Sequence, residues 1–290
     1  MNNFMVLYQY ECKKLLNRKI VWITFALWQV WLQSMWEDFR LSKSEIEFWQ
    51  ESEAQIKTPF VYQYHEAYST LISCYQTVGL LVLLLIAICL SGVFSEEHTR
   101  KTDQIILCSP LGKTWSYWAK ITAGISFSVI STILLSLFTF IMAICLHGAN
   151  GFNAAFQLIY IRSSAPITCG QAVLIAYGSM IFAAIVTSIF VMVLSELLHS
   201  NIAALAVSTA LLIISMIVDV PEQYRVLAQI WNWLPWCFLA PWNVFGGYTV
   251  SILGYYFTSW QVVPLIYLAA SIAIAAGGKP LYHRFQIWGR

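Results

Sequence analysis

Residues 94–120 read FSEEHTRKTDQIILCSPLGKTWSYWAK. This is the longest polar interruption between two long apolar runs, and it holds Arg100, Lys101, Lys113 and Lys120, four of the chain's 16 Lys and Arg residues. Each flanking run is long enough to cross a bilayer, which takes about 20 apolar residues. The basic residues place the loop on the cytoplasmic side. It is too long for a minimal connection between helices, for which about 2–8 residues are usual. Ile105, Ile106, Leu107, Leu111 and Trp115 fall at helix-compatible steps, beside a break at Pro110 and Gly112. That pattern predicts a short amphipathic helix with a face to bury, either in a partner's groove or on the membrane surface.

The same stretch carries an ordered set of residues: Glu97, Thr102, Ile106, Leu107, Ser109, Pro110, Lys113 and Lys120. The order resembles the cytoplasmic loop of type-2 ABC transporter permeases, the exporter class known from bacteria. There a Glu ends the second span, and a Thr follows about one turn later. An apolar pair, a small residue and Pro, a basic residue, and a Lys at the start of the third span come next. Span count and loop lengths extend the resemblance over the whole chain. It implies an all-α integral membrane protein with six transmembrane helices, an interfacial amphipathic helix at the N-terminus, and external or re-entrant helices before the last span. It also implies a coupling helix within Ile105–Trp118 that rests on a separate ATPase. Docking would involve Glu97, Thr102, Ile106, Leu107, Pro110, Leu111 and Trp115, with Glu97, Thr102 and Pro110 setting the geometry. ATP and Mg would be bound by that ATPase and no cofactor by this chain. A second permease chain, identical or not, would complete the assembly. The cargo class implied is peptide, bacteriocin or lipid-like.

Composition sets the class independently. The 290 residues are 59 % hydrophobic and 10 % charged, with a mean hydropathy of +0.67. Soluble domains carry about 25 % charged residues, so the deficit points to a polytopic membrane protein. Nucleic acid is not an expected partner. Seven cysteines, at 12, 74, 89, 108, 145, 169 and 237, form no close pair and are odd in number. That spacing suits neither a disulfide framework nor a zinc site. Gly112-Lys113-Thr114 imitates the end of a phosphate-binding loop, but position 107 is Leu where that motif needs Gly, and no strand precedes it. Glu196 and His199 make a single Glu-x-x-His step. A di-iron bundle needs two such steps and two further Glu. No catalytic and no metal-ligating residue is therefore assigned. Glu196 and Asp219 are expected near span ends, where water reaches. Ion-coupled carriers place ionisable groups at mid-membrane. The chain thus reads as a membrane domain with no energy source of its own.

Taken in order, 1–290 reads as a single transmembrane domain. In residues 1–19, Phe4, Leu7, Tyr8, Cys12, Leu15 and Leu16 recur at helical steps, with Lys13, Lys14, Arg18 and Lys19 toward the end. This predicts a helix lying in the interface. The first span is expected at Ile20–Trp36, the second at Leu71–Phe94, the third at Ile121–His147, the fourth at Ile167–Leu194, the fifth at Ile202–Val218 and the sixth at Trp260–Gly277. The acidic segment 37–70 is placed outside. So is 219–259, whose Trp, Pro and Gly content is too broken for one span and too apolar for a free loop. Re-entrant or interfacial helices are expected there. Residues 95–120 form the cytoplasmic coupling loop, and 195–201 a tight turn. Gly124, Ser128, Thr132 and Ser136 repeat every four residues in the third span. Such a stripe either lines a substrate path or lets two helices pack closely.

With both termini inside, inner segments carry 11 Lys and Arg and outer segments 5. This supports a multi-pass cell-membrane protein with cytoplasmic N- and C-termini. The competing readings are a non-transporting membrane sensor or immunity protein, binding through 37–70 and 219–259, and an ion-coupled carrier. The topology predicts that Cys12 and Cys108 are cytoplasmic and that a cysteine introduced at Ser52 is external. In intact cells expressing single-cysteine variants, a membrane-impermeant thiol reagent should label position 52 and spare 12 and 108. The opposite pattern means that the chain is inverted.

Overall fold

The long apolar runs can cross an apolar medium only by satisfying their backbone groups internally, and they do so as helices. The computed structural model describes Met5, Tyr8, Gln9, Lys13, Lys14 and residues 64–100, 115–160, 167–218, 220, 225–245, 249–252 and 255–284. Helix α1, Glu66–Leu90, passes through a turn at 91–94 into the short α2, Ser95–Arg100. Helix α3 is Trp115–His147. A loop with a single 3-10 turn at Phe156–Leu158 leads to α4, Cys169–Leu198, and then α5, Asn201–Ile217. Three short helices follow: α6, Arg225–Asn232; α7, Pro235–Phe238; and α8, Pro241–Phe245. Strands β1, Thr249–Ile252, and β2, Tyr255–Thr258, precede the last helix, α9, Ser259–Arg284.

Among the described residues, four helical segments are long and apolar enough to cross a membrane: Glu66–Glu97, Trp115–His147, Cys169–Leu198 and Ser259–Pro280. They correspond to the expected second, third, fourth and sixth spans. The expected first span lies outside the described residues, as does most of 1–19 and 37–70. The expected fifth span is the 17-residue α5. Its length of about 26 Å falls just short of the roughly 30 Å hydrocarbon core.

Helix α4 is the hub: α1, α3, α5 and α9 all pack on it. Its start is fixed by a capping box, in which Thr168 accepts from the Gln171 amide and Gln171 accepts from the Thr168 amide. Its end is set by His199 in the left-handed region at φ 50°, and Ser200 then caps α5. Most of the apolar stretch of α1 and of α4 is buried, whereas only 28 % of that of α3 and of α9 is. The open face of α3 carries Ile130, Ile133, Leu134, Leu137 and Ile141 at helical steps. An all-apolar outer stripe of this kind suits lipid as solvent.

Contacts fix relative depth. Ser91 donates to Asn201 Oδ1, and Ser195 donates to the Ser91 carbonyl, so the ends of α1, α4 and α5 that carry these residues share one level, called the inner end as a label for that end of the bundle only. Counting 1.5 Å per residue from that level, Glu66 and Cys169 lie about 38–39 Å above it and Ile217 only about 24 Å. The gap above α5 is filled by residues 225–245. The Cys237 thiol donates to the Ser215 carbonyl at 3.1 Å, and Phe238 meets Tyr267 edge-on at 5.8 Å. Leu239 rests on Gly79, about 18 Å above the reference level. The chain then climbs until Phe245 reaches Phe156, with ring centroids 4.7 Å apart, beside the start of α4. Asn243 braces the bend by donating to the Cys237 carbonyl at 2.7 Å. The segment expected to hold re-entrant or interfacial helices therefore dips to about half the height of the bundle.

The described residues are mostly helical, as the all-α reading expects, with one short β pair beside the helices. It joins Thr249 to Thr258, Val250 to Phe257, Ser251 to Tyr256 and Ile252 to Tyr255, antiparallel. β-branched and aromatic residues favour this state, and the register leaves only Leu253-Gly254 between the strands.

A Cβ added at Gly79 would lie 2.6 Å from Leu239 Cδ1. Gly79→Val should therefore overpack the dip, costing about 1–3 kcal/mol. Leu239→Ala should leave a cavity costing about 2–5 kcal/mol. Because the two side chains share one space, the double variant should lose less than the sum of the single losses. Thermal unfolding of the solubilised chain measures this, and simple additivity would mean that Leu239 does not press on Gly79.

Candidate functional site

At the end of the bundle that holds Ser91, Ser195 and Asn201, charged residues from different helices meet in a dry environment. Helix α3 already includes Trp115–Lys120, ahead of the expected start at Ile121, and Lys120 need not reach water. Its Nζ is buried and paired with Glu97, and it also lies 4.7 Å from the centroid of the Phe94 ring. Lys120 is 1 % exposed and Glu97 6 %. Lys14 approaches the second Glu97 oxygen at 3.4 Å. A carboxylate between two ammonium groups, with a ring face against one of them, is a compensated buried charge.

The N-terminal segment is held here too. Met5, Tyr8, Gln9, Lys13 and Lys14 have helical backbone. The Tyr8 hydroxyl donates to Ser126 Oγ at 2.6 Å, while Lys14 reaches Glu97. Tyr8 thus touches α3 and Lys14 touches α2, which clips this segment onto the bundle where those helices meet.

Beneath the ion pair lies an aromatic group. Phe94 and Tyr117 have centroids 5.8 Å apart, Phe94 and Tyr282 5.8 Å, and Tyr117 and Tyr282 5.6 Å. Tyr117 donates to the Ala275 carbonyl of α9 at 2.7 Å. Glu196 corrects the expectation that water reaches it: α4 continues past 194 to Leu198, and Glu196 is 2 % exposed. Its carboxylate bears electrostatically on Tyr117. Ser95 donates its amide to Ser195 Oγ at 3.3 Å and its hydroxyl to the Ser91 carbonyl at 3.2 Å. These bonds lock the turn between α1 and α2 onto α4.

Of the docking residues expected from sequence, Glu97 lies at the centre of this cluster. Trp115 opens α3 with its side chain 51 % exposed. Thr102, Ile106, Leu107, Pro110 and Leu111 lie outside the described residues, as does Asp219. The stripe in α3 faces α4. A Cβ on Gly124 would fall on the Met192 thioether, and Ser136 approaches Met180 Sδ at 3.9 Å. Ser128 and Thr132 are buried and donate to the Ile125 and Ser128 carbonyls of their own helix, at 2.8 and 2.7 Å. Sequence reasoning missed Tyr117 and placed Glu196 in water. Glu196 had a legible signal: His199-Ser200-Asn201 is a helix stop followed by a cap, which puts Glu196 inside the preceding helix. Comparison with known family models and with curated proteins finds no match to this chain.

Removing Lys120 leaves the buried Glu97 carboxylate with only the partly exposed Lys14, a change that costs up to about 3–5 kcal/mol. Lys120→Met should therefore sharply reduce the folded yield and melting temperature of the solubilised chain. Adding Glu97→Gln should restore most of the loss. Equal damage in the single and double variants would show that the two groups are not energetically coupled.

Proposed function

We propose that this chain is the membrane-spanning permease subunit of an ATP-driven exporter of the ABC type. In this reading it has six spans, counting Ile20–Trp36 and α5. Both termini and the 95–120 loop are cytoplasmic, in the cell membrane. Two permease chains pair and dock two ATPase subunits through the loop. The cargo is amphipathic, of the peptide, bacteriocin or lipid-like class, and ATP and Mg reside on the ATPase.

One observation carries the reading. Glu97 and Lys120, which bracket the loop in sequence, are joined and buried, so the two ends of the loop share a fixed base. A docking loop can pass a push to the spans only if its base does not yield. The exposed Trp115 ring stands where the loop re-enters the bundle. The apolar stripe on the outer face of α3 offers the spans a lipid or partner surface.

The tagged chain, solubilised gently from its native membrane, should retain an ATPase subunit identifiable by mass spectrometry. Leu111→Ser with Trp115→Ser should leave insertion and expression near normal but lose that subunit and any cargo-dependent ATP turnover. The chain alone should show no saturable ATP binding. Retention of ATPase and transport by the double variant would make the loop a plain connector. If the wild-type chain retains no ATPase, the sensor or immunity reading gains.

A further inference from the structure

The inner end of α9 is built from residues that weaken a helix. Residues 275–280 read AAGGKP. Pro280 has no amide hydrogen, so the Ala276 carbonyl lacks its usual donor one turn on, and the pyrrolidine ring crowds that carbonyl. Gly277 and Gly278 leave the backbone before Pro280 poorly restrained. The helix nevertheless continues to Arg284.

Tyr117 holds both sides of this weak point. Its hydroxyl donates to the Ala275 carbonyl at 2.7 Å, before the glycines. Its ring packs on Tyr282 at 5.6 Å, after the proline. Gly278 makes the approach feasible, because a Cβ there would lie 2.5 Å from the Tyr117 hydroxyl and 2.8 Å from Val193 Cγ2. Tyr117 is 1 % exposed, and Phe94 backs both rings at 5.8 Å. Its place in the chain adds meaning: it lies in the first turn of α3, three residues before the Lys120 that is tied to Glu97.

We infer that residues 277–280 form a hinge in α9 and that Tyr117 is its latch, so that displacement of the first turn of α3 frees the inner turn of α9. The latch belongs to this chain alone and needs no ATPase, so its test is independent of the permease reading. Hydrogen–deuterium exchange on the purified, lipid-reconstituted chain reads it directly. Tyr117→Phe keeps the ring and removes one hydrogen bond. It should speed exchange about three- to tenfold for amides in 276–284, leaving 259–272 unchanged. Pro280→Ala, added to that variant, should slow exchange again by restoring the backbone bond. No change, or a uniform rise along α9, would overturn the latch. Should Tyr117→Phe fail to fold, Pro280→Ala in the native chain decides. Slower exchange confined to 276–284 supports the hinge, and unchanged exchange there overturns it.

Discussion

A lysine and a glutamate buried where water does not reach are stable only together. Each alone would be a charge without compensation. Lys120 and Glu97 therefore fix the inner ends of α3 and of the α1–α2 unit more strictly than apolar contact could, since apolar contact is non-directional. The neighbours follow from that requirement. Phe94 turns its ring face to the ammonium, Lys14 shares the carboxylate, and Tyr117, one turn before Lys120, lands among Phe94, Tyr282 and the Ala275 carbonyl. The inner pole is an electrostatic knot with an aromatic floor.

Higher in the bundle the rules change. Ser128, Thr132, Thr139, Ser179, Ser188, Ser208 and Ser215 all donate to a carbonyl of their own helix three or four residues back. Hydroxyls used in this way contribute little between helices, and helix association then rests on shape. The close fits are Gly79 under Leu239 and Gly124 under Met192. A cross-helix hydroxyl contact does occur between Tyr75 and Ser179, at 2.9 Å, tying α1 to α4. Among the described residues, Thr187 and Ser271 carry buried hydroxyls without a partner. They mark the places where α4 and α9 hold polar groups that their own backbones do not satisfy.

What could be read from the sequence, and what could not, has one physical cause. Apolar runs located the cores of four spans, and the Pro-, Gly- and Trp-rich composition of 219–259 announced broken, partly buried structure. The boundaries differ wherever a charge sits in a buried helix end rather than in water. The third helix takes in Lys120 because Lys120 is paired. The fourth ran on to Leu198 because Glu196 is buried within it. Glu97 and Lys120 are both legible from their places in an ordered motif, but that they pair with each other is not. Tyr117 carried no local signal at all, because its significance comes from α9, more than 150 residues later. The β pair did carry one, a Leu-Gly link between two β-prone runs, but it was hidden inside a stretch already read as helical.

The two poles therefore answer force differently. At the inner pole, charge pairing is directional and offset by few alternatives, so the ends of α1 and α3 must move as a unit or lose the pair. At the outer side, residues 225–245 are held by aromatic edges, a thiol, and a leucine on a glycine. Each such contact is weak alone and replaceable by a neighbouring arrangement of similar energy. Helix α4 joins the two regimes, with Ser195 and Glu196 in the inner one and α7 packed against it in the outer one. That asymmetry follows from the placement of charge and shape alone.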